Sequence, residues 1–541
     1  MNASPVSPNP ATLGRTPTVS RVGLAALVLL GLALTMGAQA GDRSVLQNEP
    51  HVLDPTGLCG GTVVDPFLAN PNGQGTGRRL VRLADGDYVV AALVPEHGFN
   101  PPPNGMWNIG LVRYRLPCTH VPWPPGQYSV PAGGIWPRRY LVYPNLGQPQ
   151  FTEISDLKVF GSHLYVLADR RKTTSNSSVR DVVVVVFTLD GEFVGQYNAM
   201  NSEFDERGSG MVFFQDQGFP PGPAKLFVTG NTTGLPQVPS GTTITQVRLT
   251  RTTGGGLTRD NTLGPGGNLT YIDYFLPDSY CTAAAQPCHG FVNGIALSQS
   301  GGVFNRIYLG GALRRNTSGN WDFLVLATGF NGVLDTSFGG SGGGRQWAIF
   351  DAGGNNRDVA NAVLVRQVAP FQDEVFLVGE VAQRPASDGN AGNRGIGVAK
   401  FTHAGFLDAG FGIGGRAVTG GCSTPPCQDF FNGGDAESYP RAAVLGGSRL
   451  YIAGRERRRP QCVTSCTLPH EASAELLVVD AGSGARLHQS TPVPDADFHD
   501  LLREPNGRLS AAGVYVENSL PRALTAHFRA DRLFGNGFQT P

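Results

Sequence analysis

The chain carries no excess of either charge: 42 Lys and Arg stand against 42 Asp and Glu in 541 residues, and only 16% of positions are charged. A neutral balance gives no broad field to draw nucleic acid or an acidic membrane surface, so neither partner is expected. Tryptophan and methionine are scarce, at five each. Past the N-terminal segment no window shows a helical apolar stripe, and none nears the roughly 20 apolar residues of a membrane span. No H-E-x-x-H pair, no Lys-Ser/Thr-ended phosphate loop and no Cys-x-x-Cys occurs. Zinc hydrolysis, nucleotide phosphate binding and thiol redox chemistry therefore have no motif to stand on, and no metal or cofactor is expected.

What is abundant is glycine (74), proline (40) and apolar residues (40%). The apolar share is too high for a disordered chain, and the glycines lack a triplet period, which excludes collagen. Residues 22–36 form a 15-residue apolar run, preceded by Arg15 and Arg21 and followed by Ala38-Gln39-Ala40. A basic flank, a short apolar segment and an A-x-A site describe a secretory signal, so residues 1–40 are expected to be cleaved; an uncleaved anchor is the alternative. The eight cysteines agree with export. Cys281 and Cys288, Cys422 and Cys427, and Cys462 and Cys466 form three tight pairs in polar stretches. Local loop disulfides are the reading favoured over metal knuckles, leaving Cys59 and Cys118 to pair over a longer loop.

The strongest signal is internal repetition. A strand, a turn and a second strand, then a loop and a third strand, recur seven times between residues 76 and 532. Aligned on the second strand, the markers are Tyr88, Tyr165, Phe227, Tyr308, Phe376, Tyr451 and Leu509, spaced 58 to 81 residues apart. Period-2 alternation with β-branched and aromatic residues reads as half-buried antiparallel strands, and DG, NG and GG pairs sit where hairpins need positive φ. Small sheets of this kind hide their apolar faces by radial repetition. The expected fold is an all-β, seven-bladed β-propeller of four-stranded antiparallel blades. Residues 41–75 are a lead-in and residues 533–541 a tail. A β-solenoid and two packed sandwiches are the weaker alternatives.

Residues 329–344 (GFNGVLDTSFGGSGGG) and 403–418 (HAGFLDAGFGIGGRAV) share Leu-Asp and Phe-Gly at equal spacing, at Leu334-Asp335 and Phe338-Gly339 and again at Leu407-Asp408 and Phe411-Gly412. This pattern resembles the delta-60 repeat. Residues 255–267 look like a degraded third copy, with no Asp after Leu257 and Leu263 in place of Phe. The resemblance implies propeller-like sheets in an exported bacterial protein and supplies no catalytic residues. The ending LFGNGF at 533–538 is similar to a short tail of exported proteobacterial proteins; a sorting tag and a frayed end are equal alternatives.

Chemistry is sparse by comparison. Gly339 to Gly343 fit G-x-S-x-G but lack the strand-to-helix turn that a nucleophile elbow needs. The run DADFHD at 495–500 reads as a solvated connecting loop rather than a calcium site. The basic run 455–459 reads as an exposed turn at a blade end. Trp107, Trp123, Trp136, Tyr128 and Tyr140 crowd one Pro/Gly-rich insertion. They are candidates for stacking on a sugar or anchoring a partner, against the alternative of covering the first blade. The expectation is therefore a non-catalytic exported monomer that binds a protein or glycan. It would be secreted, periplasmic or on the surface of a Gram-negative cell. A propeller hydrolase, lyase or quinone-dependent dehydrogenase with an axial site is the alternative.

Overall fold

The computed structural model describes residues 62–65, 76–94, 107–115, 119–120, 140–142, 151–172, 179–215, 222–235, 242–264, 269, 271–274, 289–298, 306–314, 320–340, 343–350, 357–370, 372–382, 394–419, 436–458, 471–490, 492–517 and 520–528. All belong to one compact unit, and among them there is no α-helix. Seven antiparallel sheets form the seven expected blades. The inner strands are Thr76–Arg82, Phe151–Phe160, Asp205–Phe214, Gly290–Leu297, Val359–Ala369, Ala436–Gly446 and Ala496–Arg503. Each touches the next, and the seventh touches the first, so the ring is closed. The seven sequence markers all fall on the second strands: Tyr88–Val94, His163–Arg171, Lys225–Thr233, Ile307–Arg314, Gln372–Ala382, Arg449–Arg458 and Leu509–Glu517.

The second and third strands are buried on both faces, not one. In the second strand of blade 1, Val89, Ala91 and Leu93 pack against blade 2, while Tyr88, Val90, Ala92 and Val94 pack toward blade 7. The alternation is real, but each face meets a neighbouring blade. Seven apolar clusters result, one at each blade junction. At about 1.5–3 kcal/mol per fully buried large apolar side chain, these junctions are the main stabilising term.

Thr62–Asp65, within the segment expected to be a lead-in, pair with Leu520–Phe528 and form the outer strand of blade 7. The last blade is thus completed by residues from the start of the ring. The DADFHD run is corrected as well: Ala496–Arg503 is the inner strand of blade 7, so Asp497, His499 and Asp500 lie in a strand and not in a solvated loop, and His499 lines the axial cavity, while Asp495 precedes the strand and is exposed. Residues 455–458 of the basic run lie in the second strand of blade 6, where Glu456 is buried, and do not form an exposed turn; Arg459 lies outside the described residues.

The delta-60-like motif is a hairpin between third strand and outer edge. Asp335 accepts from Ser337 N and Oγ and pairs with Arg306 Nε at 2.5 Å; Asp408 accepts from Gly410 N and pairs with Lys400 Nζ at 2.7 Å. The following glycine reaches the next blade: Gly339 N donates to Ala404 O and Gly412 N to Ser483 O, both at 2.8 Å. The degraded copy keeps this device. Gly264 N donates to Asn331 O at 2.6 Å, and Asp260, two residues later than the pattern places it, caps Thr262 and pairs with Arg248 and Lys225.

Every inner strand also carries an extra residue at a matching position where its register with the second strand slips: Arg78, Ser155, Ser209, Asn293, Asn361, Arg441 and His499; blades 2 and 5 slip a second time, at Thr152 and Val368. Such a bulge bends the strand and re-aims a side chain. The bent backbone crowds the residue opposite, which is glycine in five blades and alanine in two. At Gly379 a Cβ would lie 2.0 Å from Val359 O, whereas at Gly254 it would meet open space. Gly379→Ala is expected to lower the unfolding free energy by about 2–3 kcal/mol, and Gly254→Ala by less than about 0.5 kcal/mol. Denaturant midpoints of the two variants measure the contrast; equal midpoints would contradict the tight fit at the bulge.

Candidate functional site

The seven bulge residues converge on one cavity of about 460 Å³ at the centre of the ring. Its wall divides into two arcs. Blades 3 to 5 supply hydroxyl and amide groups that mostly serve the backbone. Ser209 Oγ and Asn231 Nδ2 donate to Val292 O at 2.5 and 2.8 Å, Asn293 Nδ2 to Ala360 O at 2.9 Å, and Asn361 Nδ2 to Pro440 O at 2.7 Å. Each of these carbonyls precedes a bulge, where the ladder is interrupted, so the next blade takes over its satisfaction.

Blades 6, 7, 1 and 2, with Arg207 of blade 3, supply the charge. Arg79 clips three backbones together: Nε donates to Ser155 O at 2.6 Å, and Nη1 to Arg78 O at 2.9 Å and His499 O at 3.1 Å. Arg78 Nη1 donates to His499 Nδ1 at 3.0 Å, and its Nε lies 3.2 Å from Glu153. An arginine can only donate, so Nδ1 carries the lone pair and the ring proton sits on Nε2, facing Asp497 Oδ2 at 3.4 Å. Burial holds the His499 pKa below its ordinary value, with the Asp497 carboxylate pulling the other way. Burial acts to raise Asp497, but His499 together with Arg441 and Arg455 holds it below the usual carboxylate range. Arg441 reaches Asp497 only at 3.8 Å, and both Arg441 and Arg455 lie over the Tyr439 ring.

Asp169 stands across the strand pair from Glu153 in the same wall. It is 3% exposed and accepts from Gly208 N at 2.8 Å. Burial pushes its pKa up to about 7, Glu153 adds to the rise, and Gly208 N–H and Arg180 oppose it. Arg180 is tied to Asp205 through Nε at 2.9 Å and Nη2 at 2.6 Å. Arg78, Arg79, Arg180, Arg207 and Arg441 thus line the cavity against Glu153 and Asp169. Arginine excess in a concave, polar, partly desolvated wall is suited to a carboxylate or sulfate.

Sequence reasoning singled out other residues. Trp107 is half-buried against the blade 1–2 core, and its backbone exchanges hydrogen bonds with Phe151. Tyr140 pairs through its backbone with Val112. Trp123, Trp136, Tyr128 and all eight cysteines lie outside the described residues. Trp107 is not among the residues that line the axial cavity. Apart from His499, weighed within DADFHD, the bulge residues went unnoticed because their types differ from blade to blade; the available signal was the small residue three or four places after each marker. Among the described residues no group of three or more His, Cys, Asp or Glu is placed to hold a metal ion, and no helix is long and apolar enough to cross a membrane.

Asp169 gives a pH signature. Between its unfolded pKa near 4 and its folded value of about 7, the native state keeps a proton that the unfolded chain has released. The stability due to this group is full below pH about 4 and is lost as the pH rises through 7. Asp169→Asn, which cannot ionise, should gain on the native protein by a few kcal/mol between about pH 4.5 and pH 8. Urea unfolding of both at the two pH values reads this; a gap that does not change with pH would refute the buried protonated carboxyl.

No protein-family model matches the chain, and no curated protein matches it. Among solved structures it is similar to an ulvan lyase described as representing a new family of polysaccharide lyases, at 7% identity over 90% of this chain and 98% of that one, with a TM-score of 0.40. It is also similar to the Trypanosoma rangeli sialidase in complex with the inhibitor DANA, at 11% identity over 75% of this chain and 58% of that one, TM-score 0.33. The endo-arabinase from Bacteroides thetaiotaomicron stands at 10% identity over 60% of this chain and 93% of that one, TM-score 0.27. Similarities at this level say nothing of what this chain binds.

Proposed function

We propose that the chain is a ligand-binding propeller that takes an acidic glycan in its axial cavity. The observation that carries this reading is five arginines against two acids in one wall, beside an arc of serine and asparagine side chains. Arginine forks suit carboxylates or sulfates, and hydroxyl and amide groups suit sugar hydroxyls. A concave polar cavity of about 460 Å³ favours a small glycan segment over a flat protein partner. The N-terminal apolar run, the paired cysteines and the delta-60-like motif support an exported, disulfide-bonded bacterial protein of that repeat family, secreted or held at the cell surface. In that reading residues 1–40 are the signal and 533–541 an address tag.

A second reading, catalysis, is favoured by one observation. Asp169 and Glu153 are cross-strand partners in the cavity wall, the first held protonated to about pH 7 by burial and the second beside Arg78. A carboxyl that burial keeps protonated, set beside a second carboxyl, is what a general acid in such a pair requires.

Calorimetry with uronate, sulfated and neutral oligosaccharides of equal length tests the first reading. The acidic ligands should bind, neutral ones at least about tenfold more weakly, and Arg441→Met should cost at least tenfold in affinity. Equal affinity for neutral sugars, or an unaffected Arg441→Met variant, would sink it. Mass spectrometry of the same mixtures decides the second reading. Shortened products that Asp169→Asn abolishes while still binding mean an enzyme; intact ligand throughout means a binding module.

A further inference from the structure

A second cavity, of about 100 Å³, lies at the junction of blades 2 and 3. Its lower wall is apolar, built from Met200, Phe204, Leu235 and Val247. Its polar end is Glu206, on the inner strand of blade 3, and Asp273, on the short segment Tyr271–Tyr274 that pairs with the third strand. Asp273 Oδ1 accepts from Thr245 Oγ1 at 2.5 Å, and Thr245 shares a 2.8 Å hydrogen bond with Thr232. Glu206 is only 3% exposed. Its Oε1 accepts from Ser202 N at 3.0 Å, but its Oε2 is buried with no hydrogen-bond partner among the described residues. A carboxyl oxygen left alone at this depth is costly, so an occupant that donates to it is favoured.

Among the described residues, the cations beside the cavity are committed elsewhere. Arg259 Nη2 donates to Asn198 O at 3.1 Å and Ala199 O at 2.8 Å. Lys172 Nζ pairs with Asp181 at 3.1 Å and donates to Ser202 O. A hard metal ion needs oxygen on most sides, and apolar walls cannot replace its hydration shell. An alkylammonium fits both halves: its three N–H groups face the carboxyls and hydroxyls, and its methylenes lie on the apolar wall.

We propose that this junction cavity is a binding site for a primary alkylammonium group, with Glu206 and Asp273 as its acceptors. The site is separate from the axial cavity and stands or falls independently of it.

Titration calorimetry of the full chain with n-butylammonium chloride tests the proposal, with n-butanol as the uncharged isostere. Saturable binding of the ammonium, at least tenfold tighter than the alcohol, is expected. Glu206 is held at a pKa of about 7 chiefly by burial, so the empty site is mostly protonated at pH 6. Ammonium binding at pH 6 should therefore release close to one proton, read from buffers of different ionisation heat, and almost none at pH 8.5. Glu206→Gln should weaken binding at least tenfold and abolish the proton release. Asp273→Asn, at the other acceptor, should weaken binding while leaving the release intact, and serves if Glu206→Gln fails to fold. Comparing putrescine with Nα-acetyl-lysine amide shows whether a free amine or a presented lysine is preferred; binding of either supports the site. No saturation, equal binding of butanol, or an unchanged Glu206→Gln variant would each overturn it.

Discussion

The structure depends on one constraint: the second and third strands of every blade are apolar on both faces. A half-buried sheet can pair with one partner and stop. A sheet greasy on both sides needs two neighbours, and so does each neighbour, so the arrangement ends only by closing on itself. Seven junction clusters are that closure. The strand Thr62–Asp65 serves the same end, since it gives the last blade its outer edge and ties the start of the ring to its finish.

Closure decides where polar chemistry can sit. The blades meet along apolar faces, so the inner strands are where side chains turn inward to a common space. The bulge makes that turn the same in all seven blades, and the small residue opposite is its steric condition. A ring of seven equivalent positions follows from backbone geometry alone. The chemistry the ring presents is left to the side chain at each position, and these differ.

The repeat order, the seven markers and the hairpin motif were legible because each reflects a strong local preference: strand alternation, buried aromatics and glycine turns. The axial residues were not. An extra residue in an antiparallel pair leaves no mark on apolar alternation, and Arg, Ser, Asn and His share no pattern. Read locally, DADFHD is a polar loop; only the closed ring shows that Asp497 and His499 face arginines from blades 6 and 1. Asp260 was hidden for a simpler reason, because two inserted residues moved it out of the motif while the fold returned it to the same role.

The two arcs of the axial wall differ in what their polar groups are free to do. The asparagines are consumed in holding the next blade's carbonyls, so replacing them removes structure before it removes binding. The charged arc is organised differently. His499 is fixed as the neutral Nε2–H tautomer between Arg78 and Asp497, so it holds one guanidinium in place without adding charge. Arg79 spends its donors on three backbones and anchors the arc. Arg441 is held only loosely by Asp497 and by the face of Tyr439, which leaves most of its fork unspent. A buried arginine with full partners stabilises a fold; one with loose partners retains donors for a ligand. On that distinction Arg441 keeps the most uncommitted donors on the axis, Arg78 is fixed by His499, and the remainder of the ring is the frame that holds them there.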